Sequence, residues 1–197
     1  MQRHELEHII RASAGITGRN RFIIVGSQAV LGQFPDAPGE LLVSYEADIY
    51  CPDDPDATDL IDGSIGELSP FEQTFRYYAH GVGPETAIVP SGWQDRLVPV
   101  HSEFTGGATA LCLEVHDLAI SKLVAGREKD FDFVAALCRH RMVELSLLRD
   151  RLFTTELHPE RRAACEGRLL RLSRLTSDLC PLSPCPPPPS NHPQPPL

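Results

Sequence analysis

A chain of 197 residues is long enough for one domain with a small appendage, and its 42% hydrophobic content is ample for a core. No stretch approaches the ~20 apolar residues of a membrane span, and the opening Met1-Gln2-Arg3-His4-Glu5 leads into no signal-peptide core. Six cysteines without any C-x-x-C pair predict a reduced, cytoplasmic protein rather than a disulfide framework.

The net charge of −9 is unevenly spread. Between Phe22 and Phe75 there is no Lys or Arg, while eleven acids fall from Asp36 to Glu72. From Arg139 to Arg174 nine Arg stand against five acids. An acidic half repels polyphosphate, so phosphate chemistry there requires a metal or cations from elsewhere in the chain. The acids from Asp53 to Asp62 also suit a solvated helix start or loop.

In chain order, Leu6, Ile9, Ile10 and Ala14 predict an amphipathic helix over 5–15, ended by Gly15 and Gly18. A strand at 21–25 passes through Gly26-Ser27 into a helix over 27–32. Pro35, Pro38 and Gly39 make a loop, and the next strand covers 41–50, stopped by Pro52. Ser69-Pro70-Phe71-Glu72 is a helix-start pattern that predicts a helix over 70–79. Short strands are expected at 86–89, 96–100 and 108–113. Helices follow over 117–125, 128–139, 143–153 and 159–175. From Pro181 onward nine of seventeen residues are proline, which predicts an extended, largely disordered tail. The expected division is 1–140 as the main domain, 141–178 as a helical extension and 179–197 as the tail.

Three motifs carry chemistry. Gly26-Ser27 at a strand-to-helix turn suits either phosphate binding, through the hydroxyl and helix-start N–H groups, or a plain tight turn. Glu46-Ala47-Asp48 lies in an apolar strand, and residues two apart in a strand share a face. Paired carboxylates repel unless a proton or cation lies between them, and Mg²⁺ is the usual hard cation for carboxylates plus phosphates. An edge strand with one wet face would show the same alternation. The third motif is Asp117-Leu118 through Lys122-Leu123 to Arg127-Glu128-Lys129-Asp130. It holds both lysines of a chain otherwise served by sixteen arginines, and a compact ammonium suits a point-charge contact to phosphate.

Together the apolar-Gly-Ser turn and the two acids flanking one position resemble the nucleotidyltransferase superfamily. The segment from Asp117 to Asp130 looks like the AbiEii-type nucleotidyltransferases of bacterial toxin–antitoxin systems. The first acid is Glu rather than the commoner Asp, and eighteen residues separate Ser27 from Glu46, a longer spacer than usual. The resemblance covers roughly 20–140 and implies an α+β fold with a small mixed sheet and a helical C-terminal part. It also implies transfer of a nucleotidyl group from a nucleoside triphosphate to a hydroxyl. Glu46 and Asp48 would then hold Mg²⁺, Gly26 and Ser27 would cradle the triphosphate, and Lys122 would counter phosphate charge. Asp130 would be a base or the orienter of Lys122. An RNA acceptor would lie along the nine-arginine region. Alternatives are a catalytically silent module of a toxin–antitoxin system, and an interaction protein whose Pro-rich tail engages a protein partner. Trp93, beside Pro90-Ser91-Gly92 and near Arg96, could stack a base or plug the core. No membrane role is expected.

Overall fold

The computed structural model describes residues 1–179, with side chains to Leu175. The elements are α1 (Arg3–Thr17), β1 (Arg21–Ile24), α2 (Val30–Gln33), β2 (Glu46–Tyr50), α3 (Pro55–Ile65), α4 (Pro70–Phe75) and β3 (Tyr78–Gly81). After these come β4 (Val98–Val100), β5 (Thr109–Cys112), α5 (Val115–Ala125), α6 (Glu128–Arg139), α7 (Leu145–Phe153) and α8 (Pro159–Leu179). The fold is the expected α+β class. The expected Pro-rich tail lies, apart from Leu179, outside the described residues.

The five strands form one mixed sheet in the order β3-β2-β1-β5-β4. β1 is central, antiparallel to β2 and parallel to β5, while β2 runs parallel to β3. Alternation gives the sheet two unlike faces. Phe22, Ile24, Ala47, Ile49 and Ala79 are fully buried under a helical layer to which α1 and α3 contribute. Gly81 belongs to that face: a Cβ there would meet the Thr58 carbonyl of α3 at 2.7 Å, so only glycine permits the close approach. The opposite face carries Glu46, Asp48 and Tyr50, flanked by Tyr78 and His80 of β3.

Side-chain caps set several helix starts. Asp54 accepts from the Ala57 N–H at 3.2 Å, Ser69 from the Glu72 N–H at 3.2 Å, and Glu114 from the His116 N–H at 3.0 Å. The acids from Asp53 to Asp62 therefore open and line α3, a solvated helix start. The C-terminal helices share the main core, with Leu148, Leu152, Cys165, Leu169 and Leu172 buried in it. Burial pins α5 to α7 through Asp117, which is fully buried. Its carboxylate accepts from Arg96 Nε at 2.8 Å and Nη2 at 3.0 Å, and Arg151 Nε lies 3.4 Å away. His116 adds a second clamp: its Nε2 accepts from the Glu144 N–H at 3.0 Å, so its Nδ1 carries the proton donated to Glu114 at 2.7 Å.

Four expectations change. The strand expected over 41–50 begins only at Glu46, because Gly39–Leu41 forms a helical turn before it. The helix expected over 27–32 is a 3₁₀ turn, Ser27–Ala29, followed by the single turn of α2. The helix expected over 70–79 stops at Phe75, where Arg76 enters the left-handed region at φ 68° and frees the chain to form β3. No strand forms over 86–89. Pro84–Thr86 is a 3₁₀ turn, and Ala87 and Val89 pack against the core without joining the sheet.

Candidate active site

Glu46 and Asp48 lie on one face of β2, as a two-residue period requires. Each is met by its neighbour across the parallel ladder. The Tyr78 hydroxyl donates to Glu46 Oε2 at 3.1 Å, and His80 Nδ1 lies 2.9 Å from Asp48 Oδ1. Burial, reinforced by the Glu46 charge, pushes the Tyr78 phenol up to about 12. Tyr78 therefore stays a hydrogen-bond donor to the carboxylate at neutral pH.

Gly26 closes in from β1. Its backbone is extended (φ −78°), so conformational freedom is not why glycine stands here. The reason is space: a Cβ would lie 1.8 Å from Asp48 Oδ2 and 2.9 Å from Asp48 Cβ. The Val25 N–H donates to the Asp48 carbonyl at 3.0 Å and fixes the two strands at this point. The Gly-Ser turn and the second acid are thus in direct contact.

The third motif folds as most of α5 and the start of α6. Gly126 makes the junction in the left-handed region (φ 72°). The Asp130 carboxylate then serves as a hub. It accepts from the Arg127 backbone N–H at 3.3 Å and from Arg127 Nε and Nη2 at 2.6 and 3.1 Å, and Lys122 Nζ lies 3.6 Å away. Burial alone would raise the Asp130 carboxyl, but the Arg127 hydrogen bond and the Lys122 charge hold it below its ordinary value. Burial lowers Lys122, and Asp130 and Asp48 partly restore it. Lys122 also lies over the Phe133 ring, 5.7 Å from its centroid.

Ser27, Glu46, Asp48, Lys122 and Asp130 line one cleft of about 680 Å³ between the open sheet face and α5–α6. Gly26, expected beside Ser27 as a phosphate contact, is buried and does not line the cleft; it lies behind Asp48, against that carboxylate. Residues from distant segments thus converge: two acids, one hydroxyl, one partly desolvated lysine, and the Arg127 guanidinium with Asp130. Lys129 lines the cleft as well, from an exposed position. Four residues of the site escape sequence reasoning. Tyr78 and His80 sit on a strand that the chain pattern hides. Arg127 belongs to the third motif but is assigned no role by it, although its place three residues before Asp130 is a capping pattern. Glu40 reads as a loop acid, and it pairs with Arg139 and with His140 Nε2, the latter at 2.6 Å, across the rim.

Two other expectations meet the geometry differently. Arg96 is bound to Asp117, so it is no free companion to Trp93, which lines a separate cavity. Much of the basic stretch is structural: Arg151 serves Asp117, Arg162 and Arg168 donate to backbone carbonyls, and Arg171 lies over Phe131.

Among the described residues, no group of three or more His, Cys, Asp or Glu is arranged to hold a metal ion. Glu46 and Asp48 could supply two hard oxygen donors, with the rest left to substrate and water. That is the donor set Mg²⁺ accepts when it is bound with phosphates.

Residues 4–164 match the family model described as a nucleotidyltransferase of unknown function, DUF6036. The chain belongs to this family. No curated protein and no solved structure matches this DUF6036 protein. The family match takes in α7 and the start of α8, beyond the 20–140 over which the motifs alone extend. No helix among the described residues is long and apolar enough to cross a membrane.

Proposed function

We propose that this cleft transfers a nucleotidyl group from a nucleoside triphosphate to a hydroxyl acceptor, with Mg²⁺ held by Glu46 and Asp48. The observation that carries the proposal is the convergence of both acids, Ser27 and Lys122 on one cleft. Bound there, Mg²⁺ would supply charge neutralisation for the phosphates and lower the pKa of a hydroxyl beside it. Tyr78 orients Glu46, and Gly26 leaves room for Asp48. Ser27 and the N–H groups of its turn receive phosphate oxygens. Lys122 meets the negative charge that develops as the reaction proceeds, a contribution worth about a hundredfold or more in rate by analogy with oxyanion donors.

Asp130 is read here as a positioning residue. It is 1% exposed, and its oxygens are committed to Arg127 and Lys122, so it holds the ammonium rather than touching substrate. In the transfer, the acceptor oxygen bonds to the α-phosphorus while the bond to the bridging oxygen breaks. The electron pair leaves with diphosphate, and the hydroxyl proton passes to solvent. The likeness of residues 117–130 to AbiEii-type enzymes supports a toxin–antitoxin setting with a protein partner.

Calorimetric titration with a non-hydrolysable triphosphate tests the reading. Binding should require Mg²⁺ and weaken more than about tenfold in the double variant Glu46→Gln, Asp48→Asn. Equal binding in chelator would refute it.

A further inference from the structure

A second cavity, of about 480 Å³, lies at the end of the sheet, lined by Ile23, Tyr50 and Leu111 from the face that carries the two acids and by Thr58 and Asp59 from the start of α3. On β2 the residues Glu46, Asp48 and Tyr50 alternate onto that face, so Tyr50 stands one strand repeat, about 6.7 Å, beyond Asp48. Tyr50 pairs with Ile23 of β1, and Ile23 pairs with Leu111 of β5. These three form the floor. Trp93 and Leu97, on the turn that crosses over the sheet, form the wall, and Gln94 and Arg21 stand among the lining residues. We propose that this cavity binds the unpaired terminal base of a single-stranded RNA acceptor, stacked on Trp93, with its ribose hydroxyl towards Asp48. The inference rests on the nucleotidyl-transfer reading of the cleft and names its acceptor.

Size and chemistry both point this way. The volume lies within the range of small-ligand pockets, whose pattern is an apolar lining with a few polar groups. Single-stranded RNA is recognised by just such unstacked bases, laid on aromatic faces and read along their edges. Gln94 is exposed and offers both a donor and an acceptor to a base edge. Arg21 is more than half exposed, and its one ion-pair contact, to Asp53, is a long 3.9 Å. Its guanidinium remains available to a phosphate of the incoming strand. Position separates the acceptor from the donor nucleotide. The triphosphate cleft has its own apolar end, at Leu41, Val43, Phe133 and Ala136 beside Lys122, where the donor's base would lie. The Trp93 cavity lies beyond Asp48 towards Tyr50, where a ribose with its base in the pocket would present a hydroxyl to the acids.

Trp93 is the chain's one tryptophan, so its fluorescence reports this cavity directly. Titrating the full-length protein, without triphosphate, with a short single-stranded oligoadenylate should quench that emission saturably. Anisotropy of the same oligonucleotide, labelled at its 5′ end, should show Trp93→Leu weakening binding about tenfold, with Trp93→Phe keeping most of the affinity. Gln94→Ala, at an exposed position that leaves the fold alone, should weaken it too. Unquenched emission, or equal binding by wild type, Trp93→Leu and Gln94→Ala, would overturn the proposal. Equal quenching by the triphosphate with Mg²⁺ alone would also overturn it, by giving the cavity to the donor's base. If the triphosphate binds with Mg²⁺ while the oligonucleotide leaves Trp93 unquenched, only the acceptor assignment falls. Lack of triphosphate binding would instead remove the reading of the cleft.

Discussion

The Asp48 carboxylate occupies the space where Gly26 would carry a Cβ: an added methyl would lie 1.8 Å from Oδ2 and 2.6 Å from the carboxyl carbon. The glycine of the Gly-Ser turn therefore serves the acid first and any phosphate second. Gly26→Ala should push Asp48 out of position at a cost of about 1–3 kcal/mol in stability, the usual range for overpacking. Transfer activity should fall far more than the folded fraction does. Thermal unfolding and an activity assay on the same sample check this, and an active, equally stable variant would mean that Asp48 has freedom to move.

Lys122 and Lys129 both line the cleft, but they differ in burial. Lys122 is largely buried against Asp130 and Phe133, whereas Lys129 is exposed. Lys122→Ala should lower the rate about 10²–10³-fold, by analogy with removal of one preorganised donor at a developing charge. Lys129→Ala should cost much less. Side-by-side kinetics of the two folded variants decide the matter, and equal activities would reduce Lys122 to a structural lysine.

Asp130 makes a pH prediction. Its carboxyl sits below the ordinary aspartate value of 3.8, because Arg127 and Lys122 outweigh the effect of burial. A group with a lowered folded pKa contributes stability above its unfolded pKa and loses it as pH falls through the folded value. Asp130→Asn should therefore destabilise the protein at pH 7 by about 1–3 kcal/mol. The gap from wild type should close in acid, below pH 3.8. Denaturation midpoints across that pH range supply the check.

Arg96 holds a fully buried carboxylate, and its removal leaves Asp117 with Arg151 alone. Breaking a buried pair from one side typically costs about 3–5 kcal/mol. Arg96→Ala should unfold at markedly lower temperature, and the double variant Arg96→Ala, Asp117→Asn should recover part of that loss. No recovery would show that Arg96 acts through packing instead.

How far these relationships can be read from the chain depends on the range of each signal. Phe22-Ile23-Ile24, Glu46-Ala47-Asp48-Ile49 and Val115–Ala125 announce themselves through local apolar period, and each forms the element that its period suggests. β3 does not. Tyr78-Ala79-His80-Gly81 is short and follows a strong helix start at Ser69, and only the left-handed turn at Arg76 separates the two. Missing that strand hides Tyr78 and His80, the cross-strand partners of the acids. Conversely, Ala87-Ile88-Val89 has β-like composition but finds no strand to pair with, and packing against the core takes it instead. The Gly-Ser turn, the two acids and Lys122 are visible because charge inside apolar runs is costly and so conspicuous. Their convergence, and the commitment of Asp130 to Arg127, are long-range or geometric facts that spacing alone does not carry.

The central claim is tested most directly by following label from a nucleoside triphosphate into bulk RNA. With Mg²⁺ present, phosphorus in the α position should become acid-precipitable with the RNA, while phosphorus in the γ position should leave with diphosphate. Asp48→Asn, folded by circular dichroism, should transfer neither. Incorporation of the γ label, or undiminished α transfer by Asp48→Asn, would contradict the account.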